Sequence, residues 1–107
     1  MKIELPKYEW LVNKHEGRFV TNVYSGSAGT QGNEGCIGSR TFNYRVYVDI
    51  SSGKESEFRL ISESYIIQPH HLGGKKTNFE RADFSCSEHC LIQVIKWLSE
   101  ISRKYGF

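Results

Sequence analysis

The side chains best suited to chemistry stand in one short stretch, Cys86, His89 and Cys90, with His70 and His71 upstream. Two cysteines four residues apart, with a histidine between them, could supply zinc ligands from one side of a helical turn. The stretch contains no Cys-x-x-Cys pair, and its spacing matches no common zinc finger. Because a small buried cysteine explains Cys90 more simply, we predict no resident metal.

Cys86 is also a candidate nucleophile. The thiolate form is favoured at a helix N-terminus, and His89 lies about one helical turn away. A catalytic pair also needs an orienting group and a substrate cleft, and the sequence shows neither. We therefore expect no catalytic residues and a protein that is not an enzyme. Zinc or thiol chemistry at this stretch is the third interpretation of function.

A glycine-rich segment covers residues 26–39, with glycine at every third position among small polar residues. The segment lacks the Gly-x4-Gly-Lys-Ser/Thr and Gly-x-Gly-x-x-Gly patterns, and no βαβ unit surrounds it. We therefore expect no nucleotide and no other cofactor. The composition predicts a long loop between strands, either mobile or able to close over a partner.

A β-hairpin over residues 41–63 organises the predicted fold. Every second residue from 41 to 50 is apolar, Ser51 to Gly53 interrupt the pattern, and a second alternating run follows. One face of the hairpin is therefore apolar. Its members are Phe42, Tyr44, Val46, Val48, Ile50, Phe58 and Leu60.

The sequence leaves the register of this hairpin open. A three-residue loop sets Arg45 against Arg59, whereas a five-residue loop sets Asp49 against Glu57, and like charges directly opposite are unfavourable. Both registers keep the same two faces. Both also place Arg45 and Arg59 on the outer face, away from the apolar set, and leave open what neutralises them.

A C-terminal amphipathic helix is predicted after Ser85 and Glu88, which form a Ser-x-x-Glu capping box. Apolar residues share one broad face of the helix, which ends near Gly106. We expect Trp97 and Leu98 to pack centrally against the apolar face of the hairpin.

Two further strands are predicted before the hairpin, one within residues 3–13 after Pro6 and one at 18–25, and an irregular loop is predicted at 68–84. Strands in chain order with one apolar face need the helix to cover that face. The sequence thus predicts one α+β domain over residues 1–107. Its architecture is a four-stranded antiparallel meander sheet with one C-terminal helix packed on one face.

Composition limits the class of protein. The 14 basic and 12 acidic residues give a net charge of +2, which is too small for the field of a dedicated nucleic-acid binder. Three cysteines, an odd count, and the lack of an apolar leader favour a reducing, cytoplasmic location. No stretch approaches the roughly 20 apolar residues of a membrane span, so we expect no membrane partner.

We expect a small non-enzymatic module that binds a protein, as an inhibitor, an immunity-type antagonist or an accessory subunit. The candidate surface is the outer sheet face, with Arg45, Tyr47, Arg59 and Ile61, together with the glycine-rich loop 26–39. Tyrosine and arginine are the residue types enriched at interface hot spots. The oligomeric state is not specified by the sequence.

Nucleic-acid binding is the alternative function. Lys75 and Lys76 could meet phosphates while aromatic residues of the sheet stack on bases. In layout alone, strands followed by a helix, the chain resembles a double-stranded-RNA-binding domain. The basic motif that opens the helix of that family is absent from residues 85–89, so the alternative rests on the sheet aromatics and the two lysines.

Overall fold

The computed structural model describes residues 3–13, 15–22, 39–85 and 89–107. Four antiparallel strands follow one another in chain order in a single sheet: β1 (His15–Asn22), β2 (Ser39–Asp49), β3 (Arg59–Ile67) and β4 (Lys76–Ser85). A short helix α1 (Tyr8–Leu11) precedes them and α2 (Cys90–Lys104) follows. The predicted α+β fold, an open antiparallel sheet with a C-terminal helix, is confirmed.

The segment after Pro6 is helical, so the strand predicted there is wrong. Leu11, the last residue of α1, is fully buried, whereas Trp10 and Val12 are 46% and 45% exposed. Alternation over so few residues fits a single helical turn as well as a strand. Leu11 and Tyr8 both pack in the core, and residues three apart share one face of a helix but lie on opposite faces of a strand.

Strand β4 replaces most of the irregular loop predicted at 68–84. Between Ser64 and Ile66 of β3, β4 carries one extra residue, and Asn78 takes the left-handed conformation with φ 56. This β-bulge reverses the alternation along β4, so no single period marks the strand in the sequence. Outer-face side chains of β4 are Lys76 before the bulge, Phe79 within it, and Arg81, Asp83 and Ser85 after it.

The β2–β3 register differs from both predicted registers. Asp49 lies opposite Arg59 and Arg45 lies opposite Glu63, with residues 50–58 as the connection, including a 3-10 turn at Glu55–Glu57. Opposite charges therefore face each other where both predicted registers set like charges together. Because the registers differ by even numbers of residues, the predicted faces are unchanged.

The core lies between the inner face of the sheet and α2. The buried residues of α2 stand four apart: Cys90, Val94, Leu98 and Ser102. The first three belong to one core cluster with Phe42, Val46 and Leu60 of the sheet. Leu98 is central as predicted, but Trp97 is only partly buried at the margin of the core.

The N-terminus of α2 does not form the predicted capping box. Ser85 is the last residue of β4, and the helix begins at Cys90 with His89 as N-cap and no side-chain capping hydrogen bond. Glu88 lies outside the described residues. Ser85 stands five residues before Cys90, too far along the chain to be the N-cap, which directly precedes the first helical residue.

Helix α2 ends near Gly106, as predicted: its last residue is Lys104, and Gly106 takes the left-handed conformation with φ 84. The amide of Gly106 donates to the Arg103 carbonyl and the amide of Phe107 donates to the Ser102 carbonyl, a Schellman motif. The motif directs the Phe107 ring onto Phe42, with 5.5 Å between centroids. The end of the helix is thereby attached to β2.

Replacing Leu98 with Ala should lower the free energy of unfolding by about 2–5 kcal/mol, because it leaves a cavity between the sheet and α2. The matched control is Ile92→Ala on the same helix, whose side chain is 61% exposed and should cost no more than about 0.5 kcal/mol beyond helix propensity. Urea denaturation measures both. Equal losses for the two variants would contradict this packing.

Replacing Asn78 with Val should destabilise the protein by about 1–2 kcal/mol, because a β-branched residue resists the left-handed backbone. Asn78→Gly is the matched control, since glycine adopts that conformation without a steric cost. Urea denaturation should therefore give a higher free energy of unfolding for Asn78→Gly than for Asn78→Val. Equal stability would show that the bulge is not held in this conformation.

Candidate binding surface on the outer sheet face

The outer face of the sheet is the side away from α2. The alternation of β2 and β3 places Arg45, Tyr47, Arg59 and Ile61 on this face, as predicted. Three of the four present polar groups there. Ile61 is 1% exposed, so its side chain offers almost no surface to a partner.

One end of the outer face carries a network of paired charges, here called the charge network: Asp49, Arg59, Asp83, Arg81 and Glu63. Arg59 lies 3.0 Å from Asp49 and 3.4 Å from Asp83, measured between nitrogen and carboxylate oxygen. Arg81 lies 3.2 Å from Asp83 and 4.0 Å from Glu63. Arg59, whose counter-charge the sequence left open, is thus neutralised within the sheet.

Asp49 is held ionised at the edge of this network. The Ser51 amide donates to Asp49 Oδ1 at 2.9 Å, and Arg59 Nη2 donates to Oδ2. Hydrogen bonds from Ser51, followed by that from Arg59, lower the pKa of Asp49 to about 2. The carboxylate therefore keeps its charge throughout the neutral and mildly acidic range.

A groove of about 570 Å³ crosses all four strands next to the charge network. We call it the cross-strand groove. Its outer-face side chains are Glu16 and Arg18 from β1, Asn43 and Arg45 from β2, Glu63 and Tyr65 from β3, and Lys76 from β4. The sheet therefore brings three cations and two carboxylates to one concave surface.

Arg45 occupies the middle of the cross-strand groove without an ion pair among the described residues. Its guanidinium carbon lies 4.4 Å from the centre of the Tyr47 ring, and its Nε is buried with no hydrogen-bond partner. Glu63, directly opposite, accepts instead from the Tyr47 hydroxyl at 3.1 Å and lies near Arg81. Within the described chain, the charge of Arg45 has no counter-ion.

Tyr65 and Lys76 form the β4 end of the groove, and the Phe79 ring lies next to it. Lys76 Nζ lies 4.8 Å from the centre of the Tyr65 ring, and the Phe79 ring lies 5.7 Å from that of Tyr65. Phe79 is 68% exposed, although the bulge at Asn78 holds it beside Tyr65. This arrangement offers an exposed apolar surface next to a cation.

The structure brings together residues that the sequence analysis assigned to two different candidate functions. Lys76, predicted in a loop, lies in the same groove as Arg45, whereas Lys75 is exposed before β4 and does not line the groove. Tyr65 was not singled out, although its place in the alternation of β3 would have put it on the outer face. Phe79 could not be found this way, because the bulge reverses its facing.

The described part of the candidate thiol cluster is structural. Cys90 is buried and its thiol donates to the Ser85 carbonyl, in agreement with the buried-cysteine interpretation. Cys86 lies outside the described residues. The histidines proposed with it are exposed: His70, His71 and His89. In the described ranges, no group of three or more His, Cys, Asp or Glu is arranged to hold a metal ion.

The glycine-rich loop predicted at 26–39 lies outside the described residues, except that Ser39 begins β2. Among the described helices, none combines the length and the apolar character needed to cross a bilayer.

Comparison with known protein families, curated proteins and solved structures finds no match for this chain. A proposal on function therefore depends on the outer sheet face itself.

Replacing Asp49 with Asn should lower stability at neutral pH and have less effect in acid. The folded-state pKa, about 2, lies below the ordinary value of 3.8, so ionised Asp49 stabilises the fold above about pH 4, and this contribution is lost as pH falls toward 2. Thermal unfolding of both proteins across this range measures the difference in melting temperature. A difference that stays constant from neutral pH to pH 2 would contradict the charge network.

Proposed function

We propose that this chain is a small non-enzymatic module that binds a protein partner through the outer sheet face, centred on the cross-strand groove. The observation that carries the proposal is the state of Arg45. Its guanidinium is stacked on Tyr47 and has no ion pair in the described chain, while Arg59 and Arg81 on the same face are each paired twice. A partly buried cation without a counter-ion is costly, and a partner that supplies the counter-charge relieves that cost.

The residue types of the groove support a protein interface. Arginine and aromatic side chains are enriched at the energetic centres of such interfaces, and here Arg45 stands in one groove with Tyr65 and near the exposed ring of Phe79. In the charge network beside the groove, each arginine is already paired with two carboxylates. This network would therefore serve as a polar rim and not as the centre of binding.

The alternation of charge favours a protein over a nucleic acid. Arg45 has Glu16 directly opposite on β1 and Glu63 directly opposite on β3. A phosphate backbone has one sign of charge throughout and would meet both carboxylates, whereas a protein surface can alternate in sign. The small net charge of +2 agrees with this preference.

Binding of single-stranded nucleic acid is the second candidate function. The favouring observation is the β4 end of the groove, where Lys76 stacks on Tyr65 and Phe79 is exposed. Bases stack on such rings while a neighbouring cation contacts a phosphate.

Affinity capture from native cells should separate the two candidates. We expect a protein captured by the wild type to be lost with Arg45→Gln and with Lys76→Gln, because each removes a cation of the groove and keeps a polar side chain. Lys96→Gln on α2 is the matched control, since Lys96 is exposed and does not line the groove. Melting temperatures of all three variants verify folding.

The same captured protein on all three variants would contradict the proposal. Capture that disappears after nuclease treatment, together with retention on heparin that falls steeply with salt, would instead support the second candidate.

A further inference from the structure

We infer that the cross-strand groove takes an extended segment of its partner that contains one acidic residue, whose carboxylate is seated beside Arg45. This inference rests on the proposed function and specifies the chemistry of the partner. It follows from which charges of the groove are already matched and which are not.

The available donors lie on Arg45. Its buried Nε has no partner, and none of its nitrogens forms a hydrogen bond or ion pair with a described residue. The guanidinium is held over the Tyr47 ring, and its planar fork matches the two oxygens of a carboxylate. Glu63 cannot serve as that carboxylate in this arrangement, because it already accepts from Tyr47 and lies near Arg81.

The two ends of the groove set the residues on either side of that carboxylate. At the β1 end, the carboxylate of Glu16 lies opposite Arg45 and forms no ion pair with another described residue. A second acid of the partner would be repelled there, and a basic residue would be attracted. At the β4 end, Phe79 and Tyr65 offer an exposed apolar surface for an aromatic or aliphatic side chain.

The size of the groove limits the segment to a few residues. Neighbouring strands lie about 4.8 Å apart, so crossing from β1 to β4 takes about 14 Å. Tyr65, beside Phe79, lies two residues along β3 from Glu63, the residue that faces Arg45. This offset adds about 7 Å along the strands, so the path from Glu16 to Phe79 is about 16 Å long. An extended chain rises about 3.3 Å per residue and covers this path with about four or five residues. The partner segment should therefore read apolar, acidic and basic at alternate positions, in one chain direction or the other.

The inference favours a protein carboxylate over a nucleic-acid phosphate. Successive phosphates would place a negative charge beside Glu16 as well as beside Arg45, since both residues line the same groove. A peptide segment with a single acidic residue can place that residue beside Arg45 and away from Glu16. Binding of an oligonucleotide is therefore the competing outcome of the test.

Capped pentapeptides provide the test. The probes are acetyl-Phe-Gly-Glu-Gly-Lys-amide, its reversed sequence, the same two peptides with Gln in place of Glu, and a thymidine pentanucleotide. Backbone amide shifts of labelled protein give both the affinity and the location of binding. We expect one Glu peptide to shift the amides of Arg45, Tyr65 and Lys76, and to bind at least about tenfold more tightly than its Gln counterpart, the usual value of a charge-assisted hydrogen bond.

Two protein variants assign the preference to the groove. Arg45→Gln should remove the preference for the Glu peptide, and the matched control Lys96→Gln should retain it. Equal binding of Glu and Gln peptides, a preference that survives Arg45→Gln, tighter binding of the oligonucleotide, or no shift in the groove would each overturn the inference.

Failure of this inference can be told apart from failure of the proposed function. Suppose that Arg45→Gln abolishes capture of a cellular protein, but the Glu peptides bind no more tightly than the Gln peptides. The outer face is then the interface, and the inference of an acidic residue beside Arg45 is wrong. If capture is unaffected by Arg45→Gln, the interface itself is wrong.

Discussion

The pairing of β2 with β3 is the constraint on which both faces of the sheet depend. Asp49 opposite Arg59 is an exposed ion pair, and pairs of this kind contribute little to stability. This pair selects the register of the two strands, because registers shifted by two or four residues keep the apolar face but bring like charges together. A shift by a single residue would expose Phe42, Val46 and Leu60 and is excluded by burial.

The same register produces the unmatched charge in the cross-strand groove. It places Glu63 opposite Arg45, yet the Tyr47 hydroxyl and Arg81 hold the Glu63 carboxylate. Three of the outer arginines therefore compete for the carboxylates of β2, β3 and β4, and Arg45 is the one left with an aromatic ring in place of an acid. Opposite charges are paired in the charge network, whereas Arg45 in the groove has no carboxylate as partner among the described residues. Binding sites are expected where such an exception to local pairing occurs.

The sequence specified the faces but not the pairing. Alternation from 41 to 50 and the helical pattern after Cys90 were sufficient to predict the central hairpin of the sheet, the C-terminal helix and the core between them, because burial repeats with the period of each element. The β2–β3 register was beyond reach because a 3-10 turn at Glu55–Glu57 lengthens the connection. For the candidate surface, Arg45 and Lys76 were both predicted, but their meeting in one groove depends on β4, which the sequence did not indicate.

The bulge at Asn78 links the outer face to the docking of α2. Without the extra residue, Phe79 and Arg81 would point toward the core and Glu80 toward the outer face, since facing alternates along a strand. With it, Glu80 accepts from the Tyr105 hydroxyl at 2.8 Å and from Lys104 Nζ at 3.2 Å, and the hydrogen bond from Tyr105, followed by that from Lys104, lowers the pKa of Glu80. One left-handed residue thus directs Glu80 to the end of the helix and Phe79 to Tyr65. The bulge therefore positions side chains on both sides of the sheet, and its loss would disturb the groove and the end of α2 together.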